Sequence, residues 1–100
     1  MSITKTLCAA LFLTAFGLPA LAQGPIRAVG IENEYADVIA QIGGKYVQVT
    51  AIETDPNTDP HSFEASPKVA ERIAQAGLIV ENGLGYDAWA SKMIAATAKP

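Results

Sequence analysis

The chain has 100 residues, of which 50% are hydrophobic and 17% are charged, and its formal net charge is -3. This composition predicts a single globular domain, or a piece of one, and excludes intrinsic disorder, which requires low hydrophobicity and high net charge. The acidic balance also argues against nucleic acid or an anionic membrane surface as a partner, because basic faces bind both of these.

The first 22 residues have the pattern of a secretory signal peptide. Lys5 is their only charged side chain, residues 7–18 are largely apolar, and the sequence ALA at residues 20–22 is an A-x-A cleavage site. The apolar run is too short to span a membrane, and the alternative interpretation is an uncleaved anchor. We therefore expect a soluble periplasmic protein whose folded part is residues 23–100.

The single cysteine, Cys8, lies inside the apolar run. After cleavage the chain would have no disulfide, no thiolate nucleophile and no thiolate metal ligand. Because Cys8 is not at the end of the run, its position also argues against a lipid anchor on that residue.

The first predicted strand and helix follow directly after the signal peptide. Residues 26–31 have the composition of a strand, and residues 33–43 have the periodicity of a helix. One face of this helix is apolar and is predicted to be buried: Tyr35, Val38, Ile39 and Ile42. Glu32 and Glu34 lie at its start, where the helix dipole favours negative charge, and Gly43-Gly44 ends it.

The second strand and helix flank a long loop. Residues 46–52 are rich in β-branched and aromatic side chains and predict a strand, and the loop at residues 53–65 follows. Ser66-Pro67 then predicts a helix start, with serine as the N-cap and proline at the first helical position. The apolar face of this helix consists of Val69, Ala70, Ile73 and Ala74.

The third strand and helix are joined by a glycine-rich turn. Residues 78–80 form a short apolar run, typical of a strand covered on both faces. Asn82-Gly83 and Gly85 end this strand, and residues 86–97 predict the third helix. Tyr86, Trp89 and Met93 share one stripe, and we interpret them as core residues rather than as the lining of a ligand cleft.

The predicted element order is β-α-β-α-β-α. Strands and helices that alternate in this way indicate an α/β fold, with a parallel sheet and flanking helices. Ligands bind such sheets at the carboxyl ends of the strands. The loop at residues 53–65 follows the second strand and therefore lies at the binding edge.

This loop contains His61, the only histidine of the chain. Imidazole is a common ligand of zinc and other transition metals, and the preceding Asp59-Pro60 restricts the backbone. The alternative is a surface histidine on a turn, and the residues alone leave both interpretations open. The loop carboxylates Glu53, Asp55, Asp59 and Glu64 are either metal ligands or partners of the imidazole. For Asp55 and Asp59 we favour a simpler role, the initiation of turns.

The sequence predicts no catalytic site and no site for an organic cofactor. It lacks G-x-S-x-G and the Gly-Lys-Ser/Thr of a phosphate loop, and Ala88 interrupts a possible G-x-G-x-x-G. His61 and Ser62 are sequence neighbours, which prevents them from acting as base and nucleophile. A small exported hydrolase is therefore a poorly supported alternative.

Three stretches of the chain resemble one protein family. They are VGIENEYADVIAQIGGKYVQVTAI, NTDPHSFEASP and LIVENGLGYDAW, and the resemblance covers residues 26–98. The chain resembles the amino-terminal lobe of the zinc- or manganese-binding solute-binding proteins of bacterial ABC importers. The most recognisable motifs are D-P-H-x-x-E-x-S/T-P, which includes His61, and the N-G-L/V-G turn at residues 82–85.

The resemblance implies a two-lobe α/β protein that binds its metal between the lobes. Residues 23–100 would form the first part of the amino-terminal lobe, and His61 matches the first metal ligand of the family. The other ligands, a second histidine, a further histidine or glutamate, and an aspartate, are expected beyond Pro100, so the chain is expected to be an incomplete fragment. The implied function is capture of zinc or manganese and its delivery to an ABC transporter permease.

The resemblance also implies a protein that is not an enzyme and is a monomer at full length. Two alternatives share the architecture. One is an adhesion or interaction protein, and the other is a binding protein for chelated iron or corrinoids. The second would not need a histidine behind Asp59-Pro60.

Overall fold

The computed structural model describes residues 24–97, and the predicted signal peptide lies outside them. In this range three strands alternate with three helices, as predicted. They are β1 (Ile26–Glu32), α1 (Asn33–Gly43), β2 (Val47–Glu53), α2 (Pro67–Gln75), β3 (Leu78–Val80) and α3 (Ala88–Thr97). Among residues 24–97, no helix is long and apolar enough to cross a membrane.

The three strands form a parallel sheet in the order β2-β1-β3, so the first strand is central. Val29 and Ile31 of β1 pack with Ile73 of α2 and Ala90 of α3 in the main core cluster. Successive side chains of a strand point to opposite faces, and Gly30 accordingly faces α1. Helices therefore cover both faces of β1, which confirms the predicted α/β class with a parallel sheet and flanking helices.

The helix ends agree with their sequence signals. The Ser66 hydroxyl accepts a hydrogen bond from the Val69 N–H at 3.3 Å, and Pro67 occupies the first turn of α2. Gly44 follows α1 with a φ of 51°, a conformation that glycine adopts readily. Gly44 therefore explains where α1 ends, and Ser66 and Pro67 explain where α2 begins.

The prediction for the apolar face of α1 is only partly correct. Ala36 and Ile39 are buried, but Val38 is 51% exposed and Ile42 is 83% exposed. Leu78 of β3 is 43% exposed, so the prediction that β3 is covered on both faces is wrong for the described part of the chain. These exposed side chains line an apolar groove of about 300 Å³ between α1 and β3. Periodicity identifies an apolar helix face but does not determine what packs against it.

The close contact between α1 and β1 requires glycine at position 30. A Cβ at Gly30 would lie 2.3 Å from the backbone nitrogen of Ala36. We expect Gly30→Ala to lower the free energy of unfolding by about 1–3 kcal/mol, because the backbone of α1 has to move away. Urea unfolding followed by circular dichroism measures this change. Gly77→Ala is the matched control, since a Cβ there meets nothing nearer than 3.6 Å. Equal losses in both variants would contradict the steric explanation.

Candidate metal site

His61 lies in a single 3-10 turn, Pro60–Ser62, within the loop that follows β2. Asp59 is the N-cap of this turn, and its Oδ1 accepts a hydrogen bond from the His61 N–H at 3.0 Å. Asp55 initiates an earlier turn, where its Oδ1 accepts from the Asn57 N–H at 2.9 Å. The turn-initiating roles of Asp55 and Asp59 are thus confirmed, and the loop holds His61 at the carboxyl edge of the sheet.

Asp59 has a second role, because it also contacts the imidazole of His61. The His61 Nδ1 lies 2.9 Å from the Asp59 Oδ1. When Nδ1 bears the proton it donates to this carboxylate, and the lone pair of Nε2 is then available to a metal ion. The hydrogen bond from the imidazole, followed by that from the His61 N–H, lowers the pKa of Asp59. Both side chains are 61% exposed, so the imidazole is accessible from solvent.

Two aromatic contacts hold the loop against the segment at the start of α3. The rings of His61 and Tyr86 meet edge to face, with their centroids 5.1 Å apart. The Phe63 ring lies 4.7 Å from the Trp89 ring. Tyr86 precedes α3 and is 37% exposed, so its predicted place in the core is wrong. Trp89 packs against the core cluster, as predicted for it and for Met93.

The glycine-rich turn that places Tyr86 is fixed by Asp87. Three successive residues of this turn have positive φ angles: Gly83 (76°), Leu84 (57°) and Gly85 (80°). Asp87 is fully buried, and its carboxylate accepts hydrogen bonds from the Asn82 N–H at 2.7 Å and the Gly83 N–H at 2.8 Å. The sequence analysis missed Asp87, because it placed this residue inside the predicted helix at residues 86–97, whereas α3 begins at Ala88.

Glu32 and Glu53 occupy the last positions of β1 and β2 and are neighbours in the parallel register. Each is only 6% exposed, which the predicted roles at a helix start and in a loop did not indicate. Burial, together with the nearby carboxyls of Asp87 and Glu53, raises the pKa of Glu32 to about 8. Burial and the charge of Asp87 also raise the pKa of Glu53. The sequence signal that could have indicated this burial was the presence of an acid directly after each of two successive predicted strands.

Of the candidate metal ligands considered in the sequence analysis, only one lies in a position typical of a metal ligand within the described residues. Between residues 24 and 97, no three histidine, cysteine, aspartate or glutamate side chains are grouped closely enough to hold a metal ion. Glu64 is exposed, Asp55 and Asp59 are engaged in turns, and Glu53 is buried at the end of its strand. Among the predicted candidates in the described residues, His61 is therefore the one placed as a transition-metal ligand.

Solved structures with the same fold are metal-binding proteins. The periplasmic zinc-binding protein TroA from Treponema pallidum superposes with a TM-score of 0.66 at 25% identity, over 73% of this chain and 26% of that chain. Zn(II)-bound AdcA from Streptococcus pneumoniae gives a TM-score of 0.62 at 22% identity, over 74% of this chain and 16% of that chain. The parallel sheet with flanking helices thus matches part of the fold of solute-binding proteins, which is the class that the fold indicates.

Sequence comparison identifies the family. The family described as ZnuA, zinc-uptake complex component A, periplasmic, matches residues 32–100, and the chain belongs to this family. The manganese-binding lipoprotein MntA of Bacillus subtilis is 30% identical over 59 residues, which are 59% of this chain and 19% of that protein. The chain spans about a fifth of the length of the curated relatives it matches. The resemblance found in the sequence is confirmed, and so is the prediction of a solute-binding protein that is not an enzyme.

Proposed function

We propose that His61 is a ligand for a zinc or manganese ion captured in the periplasm, and that the loaded protein delivers this ion to an ABC transporter permease. The supporting observation is the geometry of His61. Its Nδ1 lies 2.9 Å from the Asp59 carboxylate, and the side chain is 61% exposed at the sheet edge where α/β folds bind ligands. Membership of a zinc-uptake family favours metal-ion capture over adhesion or the binding of chelated iron or corrinoids.

Both metals suit this type of ligand. Neutral imidazole binds zinc and manganese, and ligand type alone does not separate the two. A four-coordinate zinc site needs three further donors, which residues 24–97 do not place around His61. We expect these donors to come from the part of the protein that corresponds to the remaining length of its relatives. For the isolated 100-residue chain we accordingly expect only weak metal binding. A submicromolar dissociation constant for Zn²⁺ would contradict this expectation.

Replacement of His61 tests the proposed site. In the complete gene product that contains these residues, we expect His61→Ala to weaken Zn²⁺ and Mn²⁺ binding by at least about 100-fold, because an inner ligand is lost. We expect Asp59→Asn to weaken it by about 10-fold, because the uncharged amide oxygen is a weaker acceptor for the imidazole Nδ1–H than the carboxylate. Competition with a chromophoric chelator measures both affinities, and uptake of the metal by cells that express each variant measures delivery.

Ser62→Ala is the matched control for these variants, since Ser62 is the exposed neighbour of His61 and donates only a long hydrogen bond of 3.4 Å to the Asp59 carbonyl. It should leave both affinities within about twofold of the starting protein. If His61→Ala retains the original Zn²⁺ and Mn²⁺ affinities, the proposed role of His61 is wrong. Retention of binding to a chelated iron complex alone would instead support the alternative binding-protein class.

A further inference from the structure

The structure contains a second candidate site, formed by two carboxylates that the proposed function does not use. Glu32 and Glu53 end β1 and β2 and are direct partners in the parallel register. In adjacent parallel strands, such partners project from the same face of the sheet. Both residues line one cavity of about 190 Å³ at the carboxyl edge.

In their ionised form, these two carboxylates have no hydrogen-bond donor within the described structure. Glu32 and Glu53 are each 6% exposed, and none of their four carboxylate oxygens accepts a hydrogen bond from an N–H or hydroxyl group of residues 24–97. An ionised carboxylate is seldom buried without a cation or a set of donors. The nearby Asp87 carboxylate is a hydrogen-bond partner only for protonated Glu32, because it adds negative charge beside ionised Glu32 and Glu53. Asp87 already accepts two backbone N–H groups.

The cavity that Glu32 and Glu53 line has the chemistry of a site for a hard cation. Its other polar lining residues offer oxygen atoms, and none of its lining residues is basic: Asn33, Glu34, Thr54, Asp55, Thr58 and Tyr86. Oxygen-only donor sets suit Ca²⁺, Mg²⁺ and Mn²⁺. A volume of about 190 Å³ has room for an ion and several waters, since one water takes about 30 Å³ of liquid.

We propose that Glu32 and Glu53 form a second cation site, which takes a hard divalent cation such as Ca²⁺ and is separate from the site at His61. Among residues 24–97 no three acids or histidines are grouped so that they could hold a metal ion together, so we expect neutral oxygens and water to complete the coordination. Such a site is weak, with a dissociation constant of about 0.1–1 mM, the range of extracellular calcium modules.

The two sites are neighbours that share one residue. Tyr86 lines the cavity of Glu32 and Glu53, and its ring also contacts the imidazole of His61. His61 itself does not line the cavity. The donor sets therefore differ: imidazole suits zinc, and the carboxylate pair suits calcium.

Ca²⁺ titration of the complete gene product tests the second site, since Ca²⁺ does not favour imidazole. We expect saturable binding by calorimetry, and a melting temperature raised by about 3 °C or more at 10 mM Ca²⁺. Glu32→Gln and Glu53→Gln should each weaken Ca²⁺ binding at least about tenfold while leaving Zn²⁺ affinity within about threefold. Circular dichroism establishes that each variant is folded.

Two further variants separate this inference from the proposed function. Glu64→Gln, which changes an exposed acid outside the cavity, should bind Ca²⁺ as the starting protein does. His61→Ala should retain Ca²⁺ binding even where it loses Zn²⁺. Absence of Ca²⁺ binding up to 10 mM, or equal binding by the folded Glu32→Gln and Glu53→Gln variants, would overturn the site and leave a carboxyl pair that shares a proton. Loss of Ca²⁺ binding in His61→Ala would show that the site of Glu32 and Glu53 is not separate from the site at His61.

Discussion

Replacement of Glu32 with Gln is expected to make the stability of the protein much less dependent on pH between pH 5 and pH 9 in the presence of EDTA. The starting protein is expected to lose stability over this range. The pKa of Glu32 is about 8 in the folded state, compared with 4.5 for an unperturbed side chain. A raised pKa in the folded state means that stability is fully present below about pH 4.5 and is lost as the pH rises through about 8.

The size of this effect follows from the pKa difference. Between these two values the folded state binds more protons than the unfolded state, so stability falls with rising pH by up to about 1.4 kcal/mol per pH unit. The total for Glu32 is on the order of 3–5 kcal/mol, a large part of the stability of a small domain. The raised pKa of Glu53 acts in the same direction. Glutamine has no proton to lose, so the profile of Glu32→Gln should be much flatter.

Urea unfolding at pH 5 and pH 9 measures this difference. Any constant cost of placing an amide in the buried site affects both pH values and cancels in the comparison. Glu64→Gln, at an exposed position, should keep the pH dependence of the starting protein. Parallel profiles for Glu32→Gln and the starting protein would show that the pKa of Glu32 is not raised.

Asp87→Ala is expected to lower the free energy of unfolding by about 3–5 kcal/mol at pH 5. The substitution removes two hydrogen bonds to a charged, fully buried acceptor and leaves the Asn82 and Gly83 N–H groups without it. A hydrogen bond to a charged group contributes about 1.5–3 kcal/mol. At pH 9 the loss should be smaller, because the Asp87 carboxylate also raises the pKa values of Glu32 and Glu53.

Asp37→Ala is the matched control for Asp87→Ala. Asp37 is an exposed aspartate whose hydrogen bond is to the Gln41 side chain, at 2.6 Å, and its loss should change stability by about 0.5 kcal/mol or less. Asp87→Asn should fall between the two, since its amide keeps one acceptor oxygen. Denaturant unfolding measures the free energy of unfolding of all three variants. A decrease below about 1 kcal/mol for Asp87→Ala would be inconsistent with the role assigned to the Asp87 carboxylate.

The order of the strands and helices could be predicted because the local signals agree with the tertiary fold. Ser66-Pro67 begins a helix in both the pattern and the structure, and Gly43-Gly44 ends one. The exposure of Ile42 could not be predicted in the same way. A side chain on an apolar helix face is buried only where another element covers it, and that depends on contacts remote in sequence.

The candidate site was predictable to a smaller extent. His61 was found because it is the single histidine and follows Asp-Pro in a loop at the binding edge, although its role as a ligand stays a prediction. Tyr86 was assigned to the core because its spacing with Trp89 is helical. The structure starts α3 two residues later, at Ala88, which leaves Tyr86 free to contact the imidazole. The burial of Glu32 follows from the register between β1 and β2, which no local pattern contains.

The central position of β1 has a consequence for how the chain acquires its fold. Val29 is the partner of Thr50 on one side and of Ile79 on the other, so the second pairing joins residues 50 positions apart. The unit from β1 to β2 can form early, from contacts close in sequence, whereas β3 has to close a much longer loop. During synthesis, one edge of the first strand thus stays unpaired until residues 78–80 arrive. That interval is when unpaired backbone groups can join another chain and aggregate, and a chaperone that shields β1 would act then.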